Sequence, residues 1–383
     1  MPLKILIYAQ DKRGLGHVRR TIVIARALIE ARPDVAVLLA TKSSWPGLVD
    51  IAGRFDFLKL PGEFTLAAST EDEQDAEREA IRAVRRDLLR DAVARLKPAI
   101  VLADTEPLGH DGELAPALNG TGAKLVFGMR DVLDHPDRVA KQWGDVGALD
   151  ALTDRFARVV VYGHPDLFDS LGTYALPPTV RAKATYAGYV CAPPEHTDAT
   201  AVRAGLGLDD EPFVLVTGGG GIDAAPVLAA AIEAHELLQT QPRPRLVLVT
   251  GPLMPPEDRA RLTQLATAAG HVVRTQVDIV GAMAASSATI TMGGYNTLVE
   301  AMVLGRRPVV VPRATHKREQ LIRAQAFETR GLVRCLPPAE LTGRALARAL
   351  DAELADPGHV DARPYLDLHG RRTAAALLEV VDR

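Results

Sequence analysis

Short, mainly apolar runs alternate with helix-length segments along the whole chain, and this alternation limits the fold more than any other feature of the sequence. Residues 3–9, 35–40, 55–60, 99–104, 124–128 and 158–162 read as strands in the first half, and 213–217, 245–250, 271–274, 288–291 and 308–311 in the second. The runs lack strict apolar/polar alternation, so the strands are expected to be covered on both faces, as in parallel sheets flanked by helices. Strand, helix and parallel strand in repeated succession build a doubly wound sheet. A chain of 383 residues exceeds one typical core. The expectation is an α/β protein of two doubly wound, Rossmann-like domains facing a cleft.

The stretch 191–211 opens Cys191-Ala192-Pro193-Pro194 and is polar and proline-containing, so it reads as a linker. It separates an N-terminal domain of residues 1–190 from a second domain of residues 212–363. Residues 364–383 read as a C-terminal helix that packs back on the N-terminal domain. The 45 basic and 48 acidic residues are interspersed and leave a net charge of -3, which argues against nucleic acid as a partner. Cys191 and Cys335 form no C-x-x-C pair, which excludes a cysteine zinc site and fits a reducing, cytoplasmic compartment. The first apolar run is too short for a signal sequence or a membrane span. A helix over 78–97 carries Arg78, Arg82, Arg85, Arg86, Arg90 and Arg95. A solvated face is the favoured reading; a membrane-surface helix, giving peripheral contact at the inner face of the membrane, is the alternative.

Three glycine-rich turns carry the chemistry. Gly14-Leu15-Gly16-His17 follows the first strand and opens the first helix, where an open α/β sheet places its ligands. It lacks the third glycine of a dinucleotide fingerprint, since Arg19 stands there, and the second strand ends without a ribose-binding carboxylate, so a nicotinamide cofactor is disfavoured. Residues 218–221 are four consecutive glycines after a strand, without the lysine of an NTP-hydrolysing loop. The alternative for both loops is a tight strand-to-helix turn. The third turn, Gly293-Gly294-Tyr295-Asn296-Thr297, starts a helix whose amides and dipole suit a diphosphate. Glu300 on that helix and Gln320 at the start of the next suit the vicinal hydroxyls of a ribose or sugar. Asp104 and Glu106 at one strand end, and Arg130 and Asp131 at another, point into the same crevice by position. No Asp-x-Asp and no paired-histidine motif suggests a metal site.

With these residues quoted, the chain resembles the B-type-fold glycosyltransferases. It is similar in pattern to the MurG-like bacterial N-acetylglucosaminyltransferases that make the lipid-linked peptidoglycan precursor. The resemblance implies a nucleoside-diphosphate sugar donor, UDP-linked by default, and a lipid-linked glycan or small-molecule acceptor. It also implies inversion at the anomeric carbon, with neither metal nor cofactor. Carried over by position, the donor site takes Gly16, Gly218, Gly219, Gly220, Gly293, Gly294, Asn296 and Thr297 around the diphosphate. Glu300 falls on the ribose, Gln320 on the donor sugar, His316 on a phosphate, and Val280 and Met283 on the base pocket. His17 is the expected general base, with Asp104 or Asp131 as its replacement. Arg13, Glu106 and Arg130 are the expected acceptor contacts, and Arg19 and Arg20 are further cations for an anionic acceptor, solvated surface being the alternative for at least one of Arg13, Arg19 and Arg20. Two positions depart from the family pattern: a glycine beside His17 is missing, and Leu321 stands where a second glutamine is usual. A nucleotide-sugar epimerase of the same fold and a noncatalytic nucleotide-sugar-binding protein are the competing readings.

Overall fold

The computed structural model describes residues 2–9, 16–43, 53–62, 70–192, 198–208, 211–313 and 317–382. The chain divides into two compact units, Met1–Ala192 with Asp367–Arg383, and Pro193–Leu366. In the first unit β1 (Leu3–Ala9), β2 (Val35–Thr41), β3 (Phe55–Lys59), β4 (Ile100–Asp104), β5 (Lys124–Arg130), β6 (Phe156–Tyr162) and β7 (Ala184–Tyr186) make one sheet in the order β3-β2-β1-β4-β5-β6-β7. All its pairs are parallel. The central strands are mainly apolar, and residues such as Ile5, Leu102, Phe127 and Val160 have no solvent exposure, as strands covered on both faces require. The connecting helices are α1 (Gly16–Ala31), α2 (Glu71–Leu96), α3 (Ala115–Leu118), α4 (Pro136–Asp145), α5 (Ala148–Asp154), α6 (Ser170–Thr173) and α7 (Pro178–Arg181).

Past β8 (Tyr189–Cys191) and α8 (Ala199–Leu206), the second unit repeats the plan. Its strands β9 (Phe213–Thr217), β10 (Arg245–Val249), β11 (Val272–Arg274), β12 (Ala288–Thr291), β13 (Val309–Val310) and β14 (Arg334–Cys335) lie in the order β11-β10-β9-β12-β13-β14. They too are all parallel. Its helices are α9 (Ala225–Leu237), α10 (Pro256–Ala268), α11 (Ile279–Ala285), α12 (Tyr295–Val303), α13 (Glu319–Glu328) and α14 (Gly343–Ala355). Both sheets reverse their strand order beside the first strand, between β1 and β4 and between β9 and β12. The register puts Ala9 beside Asp104 and Thr217 beside Thr291, so the loops that leave each pair of strands start side by side. Such a switch point is where open α/β sheets bind ligands.

The chain ends differ from the expected pattern. Residues 363–365 form a single 3₁₀ turn, β15 (Leu366–Leu368) pairs with β8, and only then does α15 (Arg371–Asp382) begin. The helix expected from residue 364 is therefore shorter, because Pro364 sits in the 3₁₀ turn and Asp367 caps the start of α15. The Asp367 carboxylate accepts from the main-chain N–H of Arg372 at 2.8 Å and of Thr373 at 2.9 Å. α15 packs on α1, β5 and β6 within the first unit. The stretch expected as a linker holds the end of β8 at Cys191, and α8, which Asp198 starts by accepting from the N–H groups of Thr200 and Ala201.

The arginines of α2 find acidic neighbours: Asp75 for Arg78, Glu79 and Asp111 for Arg82, Glu79 for Arg86, Asp87 for Arg90 and Asp91 for Arg95. Arg85 turns inward and meets Glu113, both almost fully enclosed. This is the pattern of a solvated helix face with one buried pair. Among the described residues no helix is long and apolar enough to cross a membrane.

One packing detail gives the second unit an acid limit. The imidazoles of His235, on α9, and His271, ahead of β11, meet edge to face with centroids 4.4 Å apart. Burial, then the neighbouring His235 imidazole and Arg245, push the His271 pKa down to about 4, against a smaller upward pull from Glu236. The folded state therefore holds this ring neutral, while the unfolded chain protonates it near its ordinary value of about 6.5. Stability from this site is fully present above that value and is lost as pH falls toward 4. Urea denaturation between pH 7.5 and 4 is expected to show a loss on the order of 3 kcal/mol that His271→Phe does not share.

Candidate functional site

The first unit gathers three side chains over its switch point. α1 begins at Gly16, so His17 and Arg20 lie on one face of its first turn. β4 ends at Asp104, whose side chain has no solvent exposure. Arg20 reaches both oxygens of that carboxylate: its Nη2 donates to Oδ1 at 2.9 Å and to Oδ2 at 2.8 Å, and its Nε approaches Oδ1 at 3.3 Å. His17 Nδ1 stands 2.7 Å from Asp104 Oδ2. Burial works to raise the Asp104 pKa, but the Arg20 charge and the bond from His17 outweigh it and hold the group below the ordinary carboxylate range. An ionised carboxylate only accepts, so Nδ1 carries the proton and the lone pair lies on Nε2. Arg20 Nη2 also lies 3.1 Å from Nδ1. Two donors do not bond each other, and the shorter approach to the carboxylate decides the tautomer.

Thr105 completes the cluster. Its Oγ1 lies 3.1 Å from His17 Nδ1, and its N–H donates to Gly128 O at 2.7 Å. Its φ of +72° puts a β-branched residue in the left-handed region, a strained position of the kind that concentrates at working sites. Behind it, the Arg20 guanidinium sits 5.0 Å from the Tyr162 ring centroid. Gly128 has to be glycine because a Cβ there would collide with the Tyr162 hydroxyl.

This corrects two expectations. The Asp104 oxygens are enclosed and engaged by Arg20 and His17, which does not fit the alternative base expected there. Arg20 is buried against Asp104 and is not a cation presented to an acceptor. Asp131 lies just past β5, wholly buried, its carbonyl accepting from Ser170 Oγ at 2.8 Å. Arg130 donates from Nε and Nη2 to the carbonyls of Val132 and Leu133, bracing its own loop. Glu106 is half-buried, 3.5 Å from His110 Nδ1. Arg13 and Gly14 lie outside the described residues, as does His316.

The second unit presents main chain instead. Gly218 and Gly221 admit no side chain: a Cβ would run into Ala224 at the first and into the Thr250 carbonyl at the second. Gly219 is left-handed at φ +65°, and a Cβ there would meet nothing. Leu253 N–H donates to Gly220 O at 2.8 Å, tying the loop to the one after β10. Across the switch point Gly293 is left-handed at φ +79°, and Gly294 caps α12 without any side-chain cap. The first-turn residues Asn296 and Thr297 are half-buried, as is Glu300 farther along the helix. Such a helix start offers amides and a positive dipole end to an anion.

Two arginines that sequence reasoning passed over support these turns. Arg313 donates from Nη1 to Asp223 Oδ2 at 3.0 Å and from Nη2 to Glu319 Oε1 at 3.1 Å, joining the glycine loop to the start of α13. Its main-chain N–H donates to Gln320 Oε1 at 2.9 Å, which fixes that amide. Burial opposes the Arg313 charge, and the two ion pairs overcome it and raise its pKa. Arg323, almost fully buried, lies 3.4 Å from Gly293 O and 5.7 Å from the Tyr295 ring centroid. Only the spacing of Arg20 three residues after His17 marked any such partner in the sequence. On α11, Val280 is half-buried, but Met283 has no exposure and belongs to the core beside Phe213 and Val247. Met283 can offer a nucleotide base nothing but main chain.

Residues 213–363 match the family model of the glycosyltransferase family 28 C-terminal domain. Every residue placed above that was expected in the donor site lies within that match, apart from Gly16. Among solved structures, the glycotransferase of kitacinnamycin aligns over 100% of both chains with a TM-score of 0.67 at 17% identity. The fold is that of the B-type glycosyltransferases. The UDP-GlcNAc 2-epimerase of Methanocaldococcus jannaschii shares this fold, with a TM-score of 0.64 at 12% identity over 98% of this chain and 99% of its own. An uncharacterized glycosyltransferase of Methanopyrus kandleri is 30% identical over 191 residues, 49% of this chain and 51% of that protein. The UDP-N-acetylglucosamine–N-acetylmuramyl-(pentapeptide) pyrophosphoryl-undecaprenol N-acetylglucosamine transferase of Rubrobacter xylanophilus is 28% identical over 262 residues, 66% of this chain and 70% of that enzyme. The match to the Methanopyrus relative thus spans about half of its length.

Within the B-type fold, the buried pair fixes the position of α1 and can be tested by stability. Arg20→Leu leaves Asp104 enclosed without its countercharge and is expected to cost about 3–5 kcal/mol. In Arg20→Leu/Asp104→Leu most of that loss should be recovered, because no charge remains buried. Chemical denaturation of the single and double variants measures the difference.

Proposed function

We propose that this protein transfers a sugar from a UDP-linked donor to an acceptor hydroxyl, with inversion and without a metal ion. The observation that carries the reading is the His17 imidazole, protonated on Nδ1 by its bond to Asp104, with the Nε2 lone pair at the switch point of the first sheet. Nε2 takes the proton of the acceptor hydroxyl as the acceptor oxygen attacks the anomeric carbon. The bond from that carbon to the diphosphate oxygen breaks, its electron pair leaves with UDP, and attack from the opposite face inverts the centre. Asp104 and Arg20 position His17; Asp104 also stabilises the imidazolium that forms.

The second unit holds the donor in this reading. The amides at the start of α12 and of the 218–221 loop receive the diphosphate, and buried Arg323 adds positive charge beside Gly293. Glu300 binds the ribose hydroxyls, Gln320 the donor sugar, and the main chain around Val280 the base. No metal is needed if these groups absorb the charge of the leaving diphosphate. The acceptor is a lipid-linked glycan or a small hydroxylated molecule. The name of the Rubrobacter relative makes a polyprenyl-diphosphate-linked acceptor the first to test, with the protein at the cytoplasmic membrane surface. An epimerase, the reading that the shared fold of the Methanocaldococcus enzyme keeps in play, acts on the donor itself and does not need an acceptor to turn it over.

Calorimetric titration with UDP, dTDP, GDP and NAD is expected to show selective binding of UDP that Glu300→Ala abolishes. Binding of no diphosphate, or binding indifferent to Glu300, contradicts the donor site. In a transfer assay His17→Ala is expected to lower kcat by about 10²–10⁴-fold while the UDP affinity stays unchanged. EDTA should leave the rate unaltered, and turnover of UDP-sugar without acceptor would favour the epimerase.

A further inference from the structure

The second unit has a cavity at the edge of its sheet opposite the glycine turns. It has a volume of about 370 Å³ and lies where β12 and β13 begin, with Ser287, Thr289, Arg306, Arg307, Glu353 and His359 in its wall. That volume falls at the lower end of the range for small-molecule sites, about 300–1,000 Å³. The wall is built by close packing. Gly305 is left-handed at φ +64° and a Cβ there would strike the His359 ring, while one on Gly358 would crowd the Arg307 guanidinium. The Val360 N–H donates to Gly305 O at 3.2 Å, which ties the 357–359 strap to the end of α12.

The charges in this wall do not balance. Glu353, almost fully buried, accepts from Arg307 Nε at 2.8 Å and lies 3.6 Å from Arg334 Nε, and Arg307 also lies 3.5 Å from the exposed Asp356 carboxylate, so two carboxylates serve Arg307 and Arg334 and Arg306 is left over. Arg307 gives a further bond to Asp356 O at 2.6 Å. Arg306 makes one bond, from Nη2 to Ala284 O at 2.9 Å, and among the described residues it has no carboxylate partner. The Ser287 hydroxyl likewise has no partner among them, whereas Ser286 and Thr289 are 3.2 Å apart and engage each other. A half-buried guanidinium with donors to spare, beside a hydroxyl in a polar hollow, fits an oxyanion on a hydroxylated body.

We propose that this cavity binds a small hydroxylated phosphate, and that α12 couples its occupancy to the donor turn. Leu304 and Gly305 at one end of that helix line the cavity, and Gly294 at the other end caps the turn assigned to the diphosphate. Nine residues make a rigid rod of about 13 Å between the two. The coupling rests on the donor reading above; the binding does not. By linkage, any change that the phosphate makes in UDP affinity is returned equally by UDP.

Calorimetry of the full chain with glucose 6-phosphate, glucose and citrate tests the site. Glucose 6-phosphate should bind and glucose should not. Arg306→Gln should weaken the binding at least about tenfold. Ser287→Ala, which removes a hydroxyl with no partner to lose, should weaken it severalfold without altering the melting temperature. No binding of glucose 6-phosphate, tighter binding of citrate, or equal binding by both variants overturns the assignment. UDP affinity measured with saturating glucose 6-phosphate should shift. An unchanged UDP affinity overturns the coupling alone, and a failure of UDP to bind at all takes the coupling down with the donor reading while the cavity result stands.

Discussion

The Asp104 carboxylate sits without solvent at the end of β4, and the arrangement around it follows from what an enclosed charge demands. Leaving it unpaired would cost several kcal/mol, so a cation has to be brought to it. That cation, Arg20, comes from α1, and its fork spans both oxygens, which fixes how the helix lies over β1 and β4. Its other face needs a wall, and Tyr162 from β6 supplies one. The Tyr162 ring fits only because Gly128 on β5 has no side chain. Three adjacent strands and one helix thus share a single electrostatic requirement, and the orientation of His17 is its product. Buried pairs of this kind add little net stability, but they are expensive to break, which makes them good at holding one geometry.

The second unit meets a different constraint at the same topological position. Its turn between β9 and α9 packs main chain against main chain, Gly220 and Gly221 against the loop after β10. Side chains are excluded there by contact, not by preference for a ligand, so the run of glycines is partly a packing requirement. Contact excludes a side chain at Gly218 and Gly221 only: a Cβ on Gly220 would meet just the tip of Leu253 at 3.4 Å, and one on Gly219 would meet nothing, its left-handed backbone alone calling for glycine. Arg313 ties this turn to α13 through Asp223 and Glu319, and Arg323 sits against the Gly293 carbonyl.

Much of this was legible in the sequence, and the rest was hidden for identifiable reasons. The central strands declared themselves through apolar runs, and the two glycine turns of the second unit through composition. β7, β8, β14 and β15 were missed because they have two or three residues each, too few for a period to show. α8 was hidden in a proline-containing stretch read as a linker, although Asp198 is a plain N-cap. Arg20 was read as a cation open to an acceptor because charge is usually exposed, and its partner lies on a strand 84 residues further along. The main chain up to Met283 was read into the base pocket, and the Met283 side chain packs with Phe213 and Val247, a matter of which helix face meets the sheet. Strands follow from local pattern, while buried polar contacts depend on residues distant in the chain.

The two switch points, alike in strand order, differ in what they can do. An imidazole held by a carboxylate takes up and returns a proton, but a lone helix start with glycine before it does not. Uncapped amides at a helix start receive anionic oxygens without titrating, and their orientation is set before any charge develops, so no reorganisation is needed when a diphosphate departs. In the proposed function, proton transfer therefore falls to the first unit and charge reception to the second. Gly218 and Gly293 leave no room for a side chain on the residue itself, so at those two positions the second unit presents main chain.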